Sequence, residues 1–349
     1  MFETHRFKVA AAHVAPVYQD PAASAQKAVS VIEEAARNGA AIVAFAEAFL
    51  PGFPIWAALH TPIQSHGHFV EYVSASVYAD GPEVGLIRQA AKRHNIMVSL
   101  GISERNPVSI GGLWNSNLLI GETGKVVNHH RKLVPTFFEK LVWDPGDGAG
   151  LKVSDSSCGR VGMLICGENT NPLSRYSLIA QGEQVHISSY PPIWPTRPPE
   201  DVANYDNRAA NHIRAAGHCF EAKCFGIVVA SPFDTRATEL AAGNDPALIE
   251  LIDKCSRAPS FFVDPTGQLI GGTTKDEGLI YAEFNLSDGI EPKRFHDLAA
   301  GYNRFDIFEM GVTRCRTAPV SFTDMPAPSP QPETLSQPEQ AEAATPPVA

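Results

Sequence analysis

Apolar runs alternate with amphipathic segments through the first half of the chain. FKVAAAHV reads as a strand, the apolar residues Ala25, Ala28, Val29, Ile32 and Ala36 recur at helical spacing between Ala22 and Arg37, and AIVAFAE is again a continuous apolar run. The cycle repeats with a helical segment over 82–93 and the strand IMVSLGIS. LWNSNLLIG and VVNHH, joined by GETGK with Gly121 and Gly124 to turn the chain, predict a hairpin, so the sheet is mixed rather than purely parallel. Beyond the apolar run GMLI, the pattern predicts a helix from Pro172 to Gln181, the strand QVHISSY, and a helix from Asp201 to Lys223. The strand FGIVVAS, the hairpin FFVDPTGQLIGG and the segment LIYAEF complete it. This is the pattern of an α/β domain, helices covering a sheet. Two long segments, 51–80 and 232–258, read as connections of the kind that carry function or assembly surfaces.

Composition narrows the setting. A chain of 349 residues with 44% hydrophobic content can bury a large core. A formal net charge of −10 without any lysine or arginine block argues against nucleic acid or an anionic membrane as partner, and leaves a small molecule or a protein. Glu3, His5, Arg6 and Lys8 do not fit a secretory leader, and no apolar run is long enough to span a bilayer, so the cytoplasm is the expected location. The six cysteines form no CxxC pair and are expected as free thiols. From Asp324 the pattern stops: seven of the last 26 residues are proline and none is lysine or arginine, which predicts a disordered tail over 324–349 after a domain spanning 1–323.

Three polar residues stand at comparable places in the strand reading. Glu47 follows AIVAFA, Lys132 follows VVNHH, and Cys166 follows GMLI, and strand ends of an α/β sheet converge where ligands bind. A thiol with an ordinary pKa near 8.5 needs a base or a cation beside it to act as a nucleophile. Glu47, in an apolar surrounding, would have its proton affinity raised into a useful range, and Lys132 would offset the buried charge. Alone, each has a plain structural reading: Cys166 as a small buried hydrophobe, Glu47 as a paired structural carboxylate, Lys132 as a solvated charge in HHRK. Their combination carries the chemistry. A papain-like partner for Cys166 could be sought in His130 or His186, but no cysteine-protease signature surrounds either, and His66 and His68 in SHGHF have no further ligand at metal spacing.

Three stretches make a resemblance specific: AFAEAFLPGFP around Glu47, HRKLVPTFFEKLVW around Lys132, and GMLICGENTNPLSRYSLIAQGEQVH around Cys166. Together they resemble the nitrilase branch of the carbon-nitrogen hydrolase superfamily, in the order Glu, Lys, Cys, and the similarity runs from about residue 7 through GYNRFDIF at 301–308. The resemblance implies a four-layer α-β-β-α sandwich, assembled when two subunits stack helices, and a homo-oligomer, a dimer or larger spiral, joined through the two long segments. It implies Cys166 as nucleophile, Glu47 as general base, Lys132 as electrostatic stabiliser and Glu139 in PTFFEK as a supporting active-site residue. The reaction implied is hydrolysis of an organic nitrile to a carboxylic acid and ammonia, without metal or organic cofactor. Many members carry tryptophan after the nucleophile where this chain has Gly167, which is expected to open space beside the thiol. Phe53, Trp56, Tyr190 and Trp194 are candidates for an apolar substrate pocket. The rival readings are an amidase or carbamoylase using the same residues and a non-enzymatic interaction protein on this fold.

Overall fold

Strand β2 (Ala40–Phe45) shows how the sequence makes layers in this computed structural model, which describes residues 5–198, 201 and 204–317. Side chains alternate across a strand, so Ile42 and Ala44 face one way and Val43 and Phe45 the other. The first pair packs against Val161, Met163, Ile187 and Ile227 of a second sheet, and the second against Ala25, Ala28 and Ile32 of helix α1 (Pro21–Arg37) and Val84 and Ile87 of a neighbouring helix. A strand buried on both faces must be apolar throughout, which is why AIVAFA shows no polar alternation.

The first sheet has the order β12-β1-β2-β3-β4-β5, with β1 (Arg6–His13), β3 (Met97–Arg105), β4 (Leu113–Ile120), β5 (Val126–Arg131) and β12 (Gly278–Asn285) around β2. The second has the order β11-β10-β9-β8-β7-β6, from β6 (Ser154–Ser156), β7 (Gly159–Ile165), β8 (Val185–Ser189), β9 (Phe225–Val229), β10 (Ser260–Val263) and β11 (Leu269–Thr274). Each sheet has three parallel strands, β1-β2-β3 and β7-β8-β9, flanked by antiparallel ones.

The outer layers are α1 with α4 (Pro82–His94) on one side, and α5 (Pro172–Ile179) with α6 (Asn207–Ala222) on the other. All four layers therefore come from one chain. The expectation that two subunits assemble them needs correcting, because each sheet finds its helical cover within its own α/β half.

Three further differences from the sequence reading have local causes. The helix expected from Asp201 begins at Asn207, where Asp206 caps it by accepting from the Ala209 N–H, while Asn204 is engaged by Thr196 instead. LIYAEF, to which the sequence assigned no pairing, is β12, which belongs to the other sheet from the preceding hairpin and pairs with β1 along its length. The two long segments contain helices, α2 (Trp56–Leu59) and α3 (His66–Ala75) in one, α7 (Thr235–Ala242) and α8 (Pro246–Lys254) in the other. They pack on each other, with Trp56, Tyr72, Ala241 and Leu251 in one buried cluster and His60 Nε2 2.9 Å from the Ala241 carbonyl. Helix α9 (Ile290–Phe295) follows β12. Contacts gather the described residues up to Arg316 into one unit, and the expected tail from Asp324 lies outside the described residues.

Candidate active site

Glu47 sits in the turn that leaves β2, and that turn rests directly on the backbone of β3. A Cβ at Gly101 would lie 2.2 Å from the Ala46 carbonyl oxygen and 2.7 Å from the Ala48 nitrogen, so only glycine admits this approach. Lys132 is the first residue after β5, its N–H bound to the Asn115 carbonyl on β4. The same Asn115 donates through Nδ2 to Glu47 Oε1 at 2.6 Å, so one β4 residue positions both. Glu139 lies in the short turn Phe137–Leu141 and accepts the Thr136 N–H at 2.7 Å.

Cys166 ends β7 with φ +50°, a left-handed conformation that costs a non-glycine residue about 1 kcal/mol or more. Ala48 beside Glu47 and Phe137 near Glu139 share it, with φ +49° and +52°. Strained non-glycine residues thus flank all three acidic groups of the site.

These side chains meet in one buried cluster. Lys132 Nζ is 2.9 Å from Glu47 Oε1 and 2.8 and 2.7 Å from the two oxygens of Glu139, and all three side chains are fully buried. The Cys166 sulfur lies within 4.8 Å of a carboxylate oxygen of each glutamate. Among the described residues Glu47 Oε2 has no oxygen or nitrogen partner, and the Cys166 thiol is the group beside Glu47 that can give it a proton.

Burial raises the Glu47 pKa above the usual carboxylate value despite Lys132, and pushes Glu139 up to about 7. Burial, then the Glu47 carboxylate, drives the Cys166 thiol well above its ordinary value, so it rests protonated. Burial opposes the Lys132 charge, but the acidic groups around it, Glu139 and Glu47 among them, outweigh it and hold the ammonium well above its ordinary pKa. The arrangement can therefore pass the thiol proton to a carboxylate as the sulfur attacks, with a fixed cation beside the developing charge.

The support behind Cys166 involves residues that the sequence reading left without roles. Glu168 accepts the Ile165 N–H and the Leu133 N–H and lies 2.9 Å from His130 Nε2, which ties the Cys166 turn to the residue after Lys132. Asn169 donates through Nδ2 to the carbonyls of Cys166 at 3.0 Å and Leu164 at 3.3 Å, while its Oδ1 accepts from Ser188 and faces His186 Nε2 at 2.8 Å. His186 Nδ1 meets Glu183 Oε1 at 2.7 Å, and His218 Nε2 meets Glu183 Oε2 at 2.6 Å. Gly162 makes room for Glu183, since a Cβ there would fall 2.0 Å from Oε1. Glu168 and Asn169 were visible within CGEN. Glu183 and His218, 35 residues apart, were not.

His130 and His186 thus serve carboxylates and an amide rather than the thiol, and the papain-like pairing is set aside. His68 stacks on Trp56 and His60. Of the aromatic candidates, Phe53 and Trp194 form one buried group with Phe138 and Trp143, Phe53 lying 6.1 Å from Trp194 and Phe138 4.5 Å from Trp194 between centroids. Trp56 packs beside them against Tyr72, and Tyr190 belongs to the cluster containing Cys166 and Ile165. Ala48 and Phe138, next to Glu47 and Glu139, join the Phe53 group, so this aromatic wall adjoins the polar cluster. Gly167 differs from expectation: Thr136 Oγ1 stands 3.0 Å from where its Cβ would be, so that space is already taken.

Comparison with known proteins decides the family. The carbon-nitrogen hydrolase model matches residues 8–294. The chain belongs to the carbon-nitrogen hydrolase family. Within the family it is 34% identical to a bromoxynil-specific nitrilase of Klebsiella pneumoniae subsp. ozaenae, over 90% of this chain and 87% of that protein. It is likewise 34% identical to a cyanide hydratase of Stereum hirsutum, over 91% and 86%, and 32% identical to an arylacetonitrilase of Fusarium vanettenii, over 88% and 92%. The solved carbon-nitrogen hydrolase fold of Saccharomyces cerevisiae Nit3 superposes with a TM-score of 0.65 at 18% identity, covering 85% of this chain and 96% of that one.

Proposed function

We propose that this carbon-nitrogen hydrolase converts organic nitriles to carboxylic acids and ammonia with Cys166 as nucleophile. The observation that carries the reading is the buried set Glu47, Lys132 and Glu139 gathered against the Cys166 thiol. As sulfur bonds to the nitrile carbon, the thiol proton passes to Glu47 and on to nitrogen, giving a thioimidate. Glu47 then takes a proton from water as its oxygen adds to that carbon, and nitrogen leaves as ammonia once protonated. A second water cleaves the acyl thioester the same way, and two waters in all are consumed. Lys132 and the N–H of Gly167 steady the negative charge that appears on nitrogen and oxygen, and Glu139 holds Lys132 in place. The aromatic wall of Phe53, Phe138 and Trp194 supports an apolar substituent on the nitrile.

A second reading, release of the amide, is favoured by the relative named a cyanide hydratase. It needs only that sulfur rather than nitrogen leave the tetrahedral intermediate. We further propose a soluble homo-oligomer. A monomeric, fully active species by sizing would contradict that.

The test is incubation with phenylacetonitrile, an aliphatic mononitrile, a dinitrile and the matching amides, measuring ammonia, amide and carboxylate beside a Cys166→Ala control. Acid and ammonia from nitriles alone, absent in the control, support the proposal. Amide accumulation supports the second reading, and turnover of amides only would move the enzyme to the amidases.

A further inference from the structure

At the opposite end of the parallel strands from Cys166 lies a cavity of about 410 Å³, where β8 and β9 begin. Its walls are largely apolar, with Phe225, Leu286 and Ile290 among them, and Glu183, Lys223, Lys293 and Asp297 supply the charged groups. The volume falls within the range of small-molecule sites.

Lys223 is the residue that needs explaining. It follows the last turn of α6 in the left-handed conformation, φ +55°, and is only 4% exposed. Its ammonium rests 3.5 Å from the centroid of the Phe220 ring, and among the described residues no carboxylate stands within ion-pairing distance of it. The other charges at the cavity are already matched: Lys293 pairs with Asp297 at 3.4 Å, and Glu183 is held between His186 and His218. Burial, followed by Lys293, lowers the Lys223 pKa, the behaviour of a cation that lacks an anion. A lysine enclosed by the fold without a carboxylate partner favours an anionic ligand beside it.

We propose that this cavity is a binding site for a short monocarboxylate with an apolar body, its carboxylate against Lys223 and its hydrocarbon against Phe225, Leu286 and Ile290. One uncompensated positive charge calls for one negative charge, and apolar walls favour a hydrocarbon acid over phosphate. The site lies at the other end of the strands from the thiol, and its ligand chemistry stands whether or not the enzyme hydrolyses nitriles.

The experiment is calorimetric titration of the full chain with hexanoate, with hexylamine as the opposite-charge control. Lys223→Met removes the cation, and Ala300→Trp, at an exposed rim position, fills the space while keeping it. Hexanoate should bind the parent protein in the millimolar range or tighter, and hexylamine should not. Both variants should weaken hexanoate by at least about tenfold, with turnover retained if Lys223→Met folds as judged by circular dichroism. Should Lys223→Met fail to fold, Ala300→Trp alone carries the comparison. Absence of hexanoate binding, equal binding of hexylamine, or unchanged affinity in the folded variants would overturn the proposal. None of these outcomes touches the assignment of Cys166, which rests on turnover.

Discussion

Replacing Lys132 by methionine keeps much of the side-chain volume and removes the charge between two carboxylates that have no access to water. Three short contacts are lost, at 2.9, 2.8 and 2.7 Å, and Glu47 and Glu139 then face each other without a cation. Breaking one partner out of a buried ion pair costs about 3–5 kcal/mol. The cost should depend on pH, because the stranded carboxylates can take up protons instead of remaining charged. Both already have raised pKa values, and without Lys132 they rise further. In the window between the ordinary carboxylate value of 4.5 and the raised folded value, the folded variant binds more protons than its unfolded chain. Its stability therefore falls as pH rises through that window, by about 1.4 kcal/mol per pH unit for each proton involved. Urea unfolding of Lys132→Met and the parent protein at pH 8 and pH 6 measures this. The variant should be inactive at both, with the larger stability deficit at pH 8. A deficit that is absent, or that does not change with pH, would refute the claim that these three groups form one closed ionic cluster.

Other outcomes follow from the same geometry. Glu139 and Glu47 oppose each other's ionisation, so in the residual activity of Glu139→Gln the acidic limb of the pH profile of kcat/KM should move to lower pH. Gly101→Ala forces a methyl group into the turn carrying Glu47 and should cost about 1–3 kcal/mol of stability together with much of kcat, read by thermal unfolding and steady-state kinetics. Asn169→Ala frees the Cys166 carbonyl and should lower kcat by about 10- to 100-fold with KM nearly unchanged. A change confined to KM would show that Asn169 does not position the nucleophile.

How much of this was legible in the sequence depends on the distance over which each signal acts. Strands buried on both faces announce themselves as apolar runs, and β2, β7 and β9 fell where those runs lie. Glu47, Lys132 and Cys166 could be grouped because each stands at the end of an expected strand. The helices in the long segments had local signals that were passed over: Asp234 caps α7 and Gly243 ends it at φ +61°, while Asp245 and Pro246 open α8. The start of α6 was ambiguous because Asp201, Asn204 and Asp206 are all able to cap, and only tertiary contacts assign Asn204 to Thr196. Partners such as Asn115 for Glu47, or His218 for Glu183, are fixed by sheet register and helix packing, which leave no mark on either residue's neighbours in sequence.

The two carboxylates around one ammonium also bear on how a reaction at this site would end. An uncharged nitrile enters without electrostatic preference, but the acid produced can ionise, and it would do so beside Glu47 and Glu139 with Lys132 already shared between them. Like-charge repulsion in a buried site favours losing that proton only as the acid reaches water. If the proposed nitrile hydrolysis runs at this centre, the residues that accept the substrate's chemistry would work against retention of the acid, and the charge it gains on reaching water would oppose its return.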